Sequence, residues 1–196
     1  MVLMLLQEIG KKVIHIIILL ALIGYAVVNN QFGSRAALMM LVTLLIVFLI
    51  LEYFRLELNW KLPVFSQFIR AKERERMFGV VYFLSATIIC LAIFDFRIAL
   101  AALLMTTLGD MTAAVIGKRY GTTLIFRNKT AIGCLSELVI NLLIGIIILA
   151  SVYQIYIIIV MAFTATIVET LVSELDDNLL VPLFTGFVGQ IIYFLI

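Results

Sequence analysis

Three carboxylates, Asp110, Glu137 and Glu169, fall within or at the edge of long apolar runs of this 196-residue chain. An ionisable group in hydrocarbon costs about 3 kcal/mol or more unless it meets a partner or a wet cavity, so each is a candidate for function. Glu169 begins a row that continues at helical spacing through Ser173, Asp176 and Asp177, with Glu174 between them. That is more acid than a solvated helix end requires. Mg²⁺ prefers carboxylate oxygens, retains waters and bridges to phosphates, so this row together with Asp110 reads as a metal site. The complement lies in the segment after Asp110, where Lys118, Arg119, Arg127 and Lys129 occur without an acid among them. Carboxylates for a cation and Lys or Arg for phosphate oxygens, gathered at one mouth, are what a metal–nucleotide or metal–pyrophosphate site needs.

Plainer readings stand beside these. Gly109, Ala113, Gly117 and Gly121 recur every four residues, which is a seam for close helix packing and also a strip where a phosphate can approach backbone. Asp110 could equally sit in a buried salt bridge. Glu137 shares a face with Gly133, Asn141 and Gly145, a narrow polar stripe in an Ile/Leu helix. It is either a carboxylate snorkelling from a helix end or a working group. The single histidine, His15, follows Lys11-Lys12 by one turn and is expected to pack. No Walker A loop occurs, since Thr112 stands where the first Gly before Gly117-Lys118 is required. No serine-nucleophile motif is present, and Cys90 and Cys134 read as small buried residues without a disulfide.

The elements that must carry these groups follow from composition. The chain is 65% apolar and 13% charged, with a mean hydropathy of +1.23. That excludes a water-soluble domain, a disordered chain and a disulfide scaffold. A helical crossing needs about 20 apolar residues, and seven runs qualify: 13–28, 35–51, 78–94, 98–117, 134–151, 154–173 and 179–196. The prediction is an all-α, polytopic membrane bundle built as one domain over 1–196. The apolar stretch Met1 to Leu6 extends the first helix or lies at the interface; a cleaved signal peptide lacks its small-x-small site after Gly24. With seven spans, Lys11, Lys12, Arg55, Lys61, Arg70, Lys72, Arg74, Arg76, Lys118, Arg119, Arg127 and Lys129 share one side, while Arg35 and Arg97 lie on the other. The positive-inside rule then puts the amino terminus and the candidate site on the cytoplasmic face. The basic and acidic region 52–76 reads as a headgroup-binding amphipathic segment or a lid over that site. No nucleic-acid partner is expected, and the chain could form oligomers.

Four motifs in order resemble one family. Lys11-Lys12-x-x-His15, then Gly109-Asp110-x-x-Ala113-x-x-x-Gly117-Lys118-x-x-Gly121, then Asn128-Lys129-Thr130-x-x-Gly133, then Val168-Glu169 leading to Asp176-Asp177-Asn178-Leu179-x-x-Pro182 are similar to the dolichol kinase, phytol kinase and CTP-dependent diacylglycerol kinase family. The resemblance implies transfer of the γ-phosphoryl group of CTP to the hydroxyl of a membrane lipid alcohol, with Mg²⁺. It implies that Asp110, Glu169, Asp176, Asp177 and Asn178 hold the metal and triphosphate, and that Lys118, Arg119 and Lys129 contact phosphates beside Gly117, Gly121 and Thr130. Asp110, Glu169 and Asp177 are the catalytic candidates, with Asp110 or Glu169 as proton acceptor. Ile132 stands where that family commonly has Glu, and Glu137 lies further along the same helix. The competing expectations are a phosphatidate cytidylyltransferase-like enzyme, whose Gly-rich His-Gly-Gly signature is missing, and a small proton- or cation-coupled transporter, which calls for polar residues across the full membrane thickness.

Overall fold

The computed structural model describes residues 2–57, 77–127, 129–172 and 175–195, with side chains described from residue 16 onward. Seven helices were expected from seven apolar runs, and the described residues form seven: α1 (Val2–Phe32), α2 (Ser34–Leu56), α3 (Gly79–Ile93), α4 (Phe96–Tyr120), α5 (Ala131–Leu149), α6 (Ile155–Leu171) and α7 (Asp177–Leu195). The early apolar stretch continues α1 rather than standing apart from it. Four helices, α2, α4, α5 and α7, are long and apolar enough to cross a membrane; the described part of α1, α3 and α6 are shorter apolar helices. Most of the region 52–76, Asn128, Ser173 and Glu174 lie outside the described residues, as do the side chains of Lys11, Lys12 and His15.

The chain divides into two compact units, Met1–Ile88 and Ile89–Ile196. In the first, α1 packs on α2 through a sharp reversal at Gly33, whose φ of 83° is a conformation that a residue with a Cβ adopts only under strain. Glu52 near the end of α2 is buried, and it is fully employed. It accepts from Arg55 Nε at 2.9 Å and from the Phe78 N–H at 3.2 Å, tying the residue before α3 to the end of α2.

The second unit is a four-helix bundle. Helix α4 packs against α5, α5 against α6, α6 against α7, and α7 closes the ring back on α4. Its core joins Ile98, Ala101, Ala102 and Met105 of α4 to Ile144 and Leu149 of α5, Ile157, Ile158, Met161 and Ala165 of α6, and Val181 of α7. Small residues bring these helices close. A Cβ on Gly145 would stand 2.5 Å from Ile158 Cγ2, and one on Gly189 would stand 2.5 Å from Met161 Sδ. Helix α5 is inside-out relative to a soluble helix. Gly133, Glu137, Asn141 and Gly145 are buried, while Leu135, Val139, Leu143 and Ile146 are exposed. Apolar side chains outward and polar ones inward is the pattern that a lipid solvent selects.

Candidate lysine–carboxylate site

Asp110 lies past the middle of α4, with its side chain 14% exposed. Ten residues later the helix ends, and the chain reverses through a two-stranded hairpin, β1 (Leu124–Phe126) and β2 (Lys129–Thr130), paired antiparallel with Leu124 opposite Thr130. Arg127 in the turn adopts a φ of 49°. The hairpin was not foreseen. It returns Lys129 toward the bundle and hands the chain to α5 through Thr130, whose Oγ1 caps that helix by accepting the Gly133 N–H at 3.2 Å.

Lys129 becomes the centre of the arrangement. Its ammonium donates to Glu169 Oε1 and stands 3.9 Å from Asp110 Oδ1, so residues from α4, β2 and α6 converge on one charge. Burial pulls the Lys129 pKa down, but Glu169 and then Asp110 outweigh it and hold the ammonium above the usual lysine range. Glu137 of α5 also lies within electrostatic reach of Lys129 and of Asp110, and Asp177 within reach of Glu169.

Beside this cluster is a second polar layer. Asn141 is fully buried and Glu137 is 2% exposed. Asn141 Nδ2 donates to Thr166 Oγ1 of α6 at 3.1 Å, and the Thr166 hydroxyl donates in turn to the Ala162 carbonyl at 3.1 Å. Asn141 Oδ1 and Glu137 Oε2 have no hydrogen-bond partner. Gly109 makes room for both residues: a Cβ there would meet Asn141 Oδ1 at 2.7 Å and Glu137 Cγ at 3.2 Å. Cys134 supplies another link between α5 and α6. Its sulfur lies 3.4 Å from Thr170 Oγ1, and because that hydroxyl donates to the Thr166 carbonyl, Cys134 is the donor.

The small-residue stripe of α4 packs against the start of α5. A Cβ on Gly117 would stand 2.8 Å from Thr130 Oγ1 and one on Gly121 would stand 2.6 Å from it, while Gly133 is similarly pressed against Ala113 and Gly117. The packing seam is thus present, and Thr130 is engaged in it. At the start of α7, Asn178 is buried and donates from its amide side chain to Asp176 Oδ1 at 2.7 Å; its backbone N–H reaches Asp176 and Asp177 oxygens at 3.1 Å each. Lys118, Arg119 and Arg127 are exposed, Arg119 over Tyr120 at 5.4 Å and Arg127 over Phe126 at 5.7 Å.

Of the residues singled out from sequence, Asp110, Lys129 and Glu169 are brought together, with Asp177 nearby. The exposed basic residues stay at the surface. Among the described residues no three Asp, Glu, His or Cys side chains converge closely enough to hold a metal ion; the carboxylates converge on Lys129. Glu137 and Asn141 were visible as a polar stripe but carried no assigned role. Thr166, a partner 25 residues away, gave no signal beyond lying in the polar end of its helix. No protein-family model, no curated protein and no solved structure matches the chain.

Proposed function

We propose that this protein is a membrane lipid kinase that transfers the γ-phosphoryl group of a nucleoside triphosphate, CTP by its family resemblance, to the hydroxyl of a polyprenol- or diacylglycerol-type alcohol. The observation that carries this reading is the Lys129 ammonium held between Asp110 and Glu169. Phosphoryl transfer asks for positioning and charge neutralisation more than for covalent chemistry. A lysine on a loop beside buried carboxylates can exchange a carboxylate for a phosphate oxygen, and Lys118, Arg119 and Arg127 stand exposed around the same hairpin to draw in a polyanion.

The carboxylate oxygens of the cluster are the hard ligand type Mg²⁺ prefers, but among the described residues no three of them converge closely enough to hold the ion. The family resemblance would have Asp110, Glu169, Asp176 and Asp177 hold the ion; in the structure Asp110 and Glu169 face Lys129 instead. The chemistry a divalent ion would supply is neutralisation of the triphosphate's charge. The remaining tasks belong to the chain: Lys129 to phosphate oxygens, the α4–α5 seam to the rigid spacing of Asp110 and Lys129, and the apolar outer faces to a lipid that arrives sideways.

The reading includes seven membrane crossings with the amino terminus and the site on the cytoplasmic face, supported by the basic residues concentrated on one side of that topology. The test is label transfer in micelles containing dolichol, geranylgeraniol, phytol or diacylglycerol. Label reaching lipid from γ-labelled CTP is expected. Label from the α position instead would make the protein a cytidylyltransferase, and no label from either, with ion flux in vesicles, would make it a transporter.

A further inference from the structure

Two buried oxygens beside the lysine cluster are acceptors without donors, and their setting specifies what should approach them. The orientation of Asn141 is dictated from α6. The Thr166 hydroxyl gives its hydrogen to the Ala162 carbonyl, so toward Asn141 it can only accept. The amide must therefore present Nδ2 to Thr166, and Oδ1 is left on the side of Gly109 and Glu137. Glu137, one turn earlier on the same face, contributes Oε2, also without a partner. A buried polar atom left unsatisfied costs about 1–3 kcal/mol, and here two neighbouring residues each have one. The group that relieves them is a hydrogen-bond donor. Phosphate oxygens are themselves acceptors and find no donor at these two atoms; in the kinase reading the triphosphate goes to the cations of the hairpin.

We infer that Glu137 Oε2 and Asn141 Oδ1 seat the hydroxyl of the lipid alcohol, and that Glu137 is the carboxylate that takes its proton. The inference rests on the kinase reading and sharpens it. Asp110 and Glu169 both lie against the Lys129 ammonium, Glu169 giving it Oε1; Glu137 retains an oxygen committed to nothing. In the transfer step the hydroxyl proton moves to Glu137 Oε2, and the alcohol oxygen uses the freed electron pair to form its bond to the γ-phosphorus. The bond from that phosphorus to the β–γ bridging oxygen breaks, and its electron pair leaves with the nucleoside diphosphate. Glu137, now carrying a proton, has Asn141 on its own helix face as an acceptor.

The experiment uses the full chain in nanodiscs with geranylgeraniol or dioleoylglycerol, whichever the unaltered protein phosphorylates. Loss of a general base typically costs 10²–10⁴-fold. Glu137→Gln is expected to lower kcat by about 100-fold or more with the nucleotide dissociation constant unchanged, and to abolish the acid limb of the kcat–pH profile. Asn141→Ser is expected to raise KM for the alcohol several-fold without changing KM for the nucleotide. It carries the same test if Glu137→Gln does not fold. Turnover by Glu137→Gln within threefold of the unaltered protein, or nucleotide affinity falling in step with kcat, would overturn the assignment and leave the kinase reading standing. An unaltered protein that phosphorylates no alcohol removes both.

Discussion

The two ends of the α4–α7 bundle handle charge in opposite ways. At the start of α4, Asp95 caps its helix by accepting the Arg97 N–H at 2.9 Å, its own N–H donates to Gln190 Oε1 at 2.7 Å, and Arg97 reaches Ser151 Oγ at 3.1 Å. Tyr153 stacks edge-on against Tyr193 at 5.2 Å, and burial together with its hydrogen bond to Asp95 raises the phenol pKa and keeps it protonated. One acid and one base lie there, each with partners. At the other end, Asp110 and Glu169 pair with one lysine, and beside them two buried oxygens have no partner. A closed network holds helices in register; an end with unpaired acceptors leaves hydrogen bonds still to be made.

The largest effect should come from the charge between those two carboxylates. Lys129→Met leaves Asp110 and Glu169 facing each other. It should reduce lipid phosphorylation by about 10³-fold, on the scale of lost electrostatic stabilisation at a transition state. It should also cost roughly 2–3 kcal/mol in detergent unfolding, below the 3–5 expected of a fully buried pair because the lysine is partly exposed. The sign with pH follows from the raised lysine pKa. The pairing contributes fully below the ordinary lysine pKa and is lost only as pH rises through the elevated one, so the deficit of the variant should stay constant from neutral pH to about 10.

Next in size is packing. Gly145→Ala drives a methyl to 2.5 Å from Ile158 Cγ2 and 3.2 Å from Met105 Cε, an overpacked contact that should cost about 1–3 kcal/mol with nucleotide affinity unchanged. Gly109→Ala sharpens the contrast, because its methyl meets Asn141 Oδ1 at 2.7 Å. The cost in thermal stability should resemble that of Gly145→Ala, but KM for the alcohol should rise as well. The smallest effect should be at the closed end. Asp95→Ala removes a helix cap worth about 1 kcal/mol and should leave transfer kinetics within twofold.

The seven helices were legible because apolar runs and their charged boundaries are set by local sequence, and the ends fall within a few residues of expectation except at α1, which continues to Val2. The α4 stripe was legible as a seam because small residues every four positions leave one face without side chains. Its partner, the Thr130–Gly133 entry to α5, was not, since it depends on a hairpin whose exposed Leu124-Ile125-Phe126 strand shows no alternation of apolar and polar residues. Lys129 looked like one more member of a basic loop. That it alone turns inward to Glu169, forty residues away, comes from the reversal at Arg127 and from the helix order of the bundle, neither of which a charge pattern encodes. Glu137 and Asn141 were recognisable as a polar face; which atoms would go unpartnered depended on Thr166 spending its hydrogen elsewhere.

The inside-out character of α5 also bears on how the protein is built. Helix α5 is apolar enough to partition into a bilayer as a single segment, but Glu137 and Asn141 then sit in hydrocarbon until Gly109 of α4 and Thr166 of α6 arrive. Inside a membrane, lipid tails give helices no hydrophobic reason to associate, and small residues and polar contacts do that work. The polar residues of α5 and the small residue facing them are therefore also what draws α4, α5 and α6 together, so a variant at Glu137 or Asn141 should slow assembly of the bundle as well.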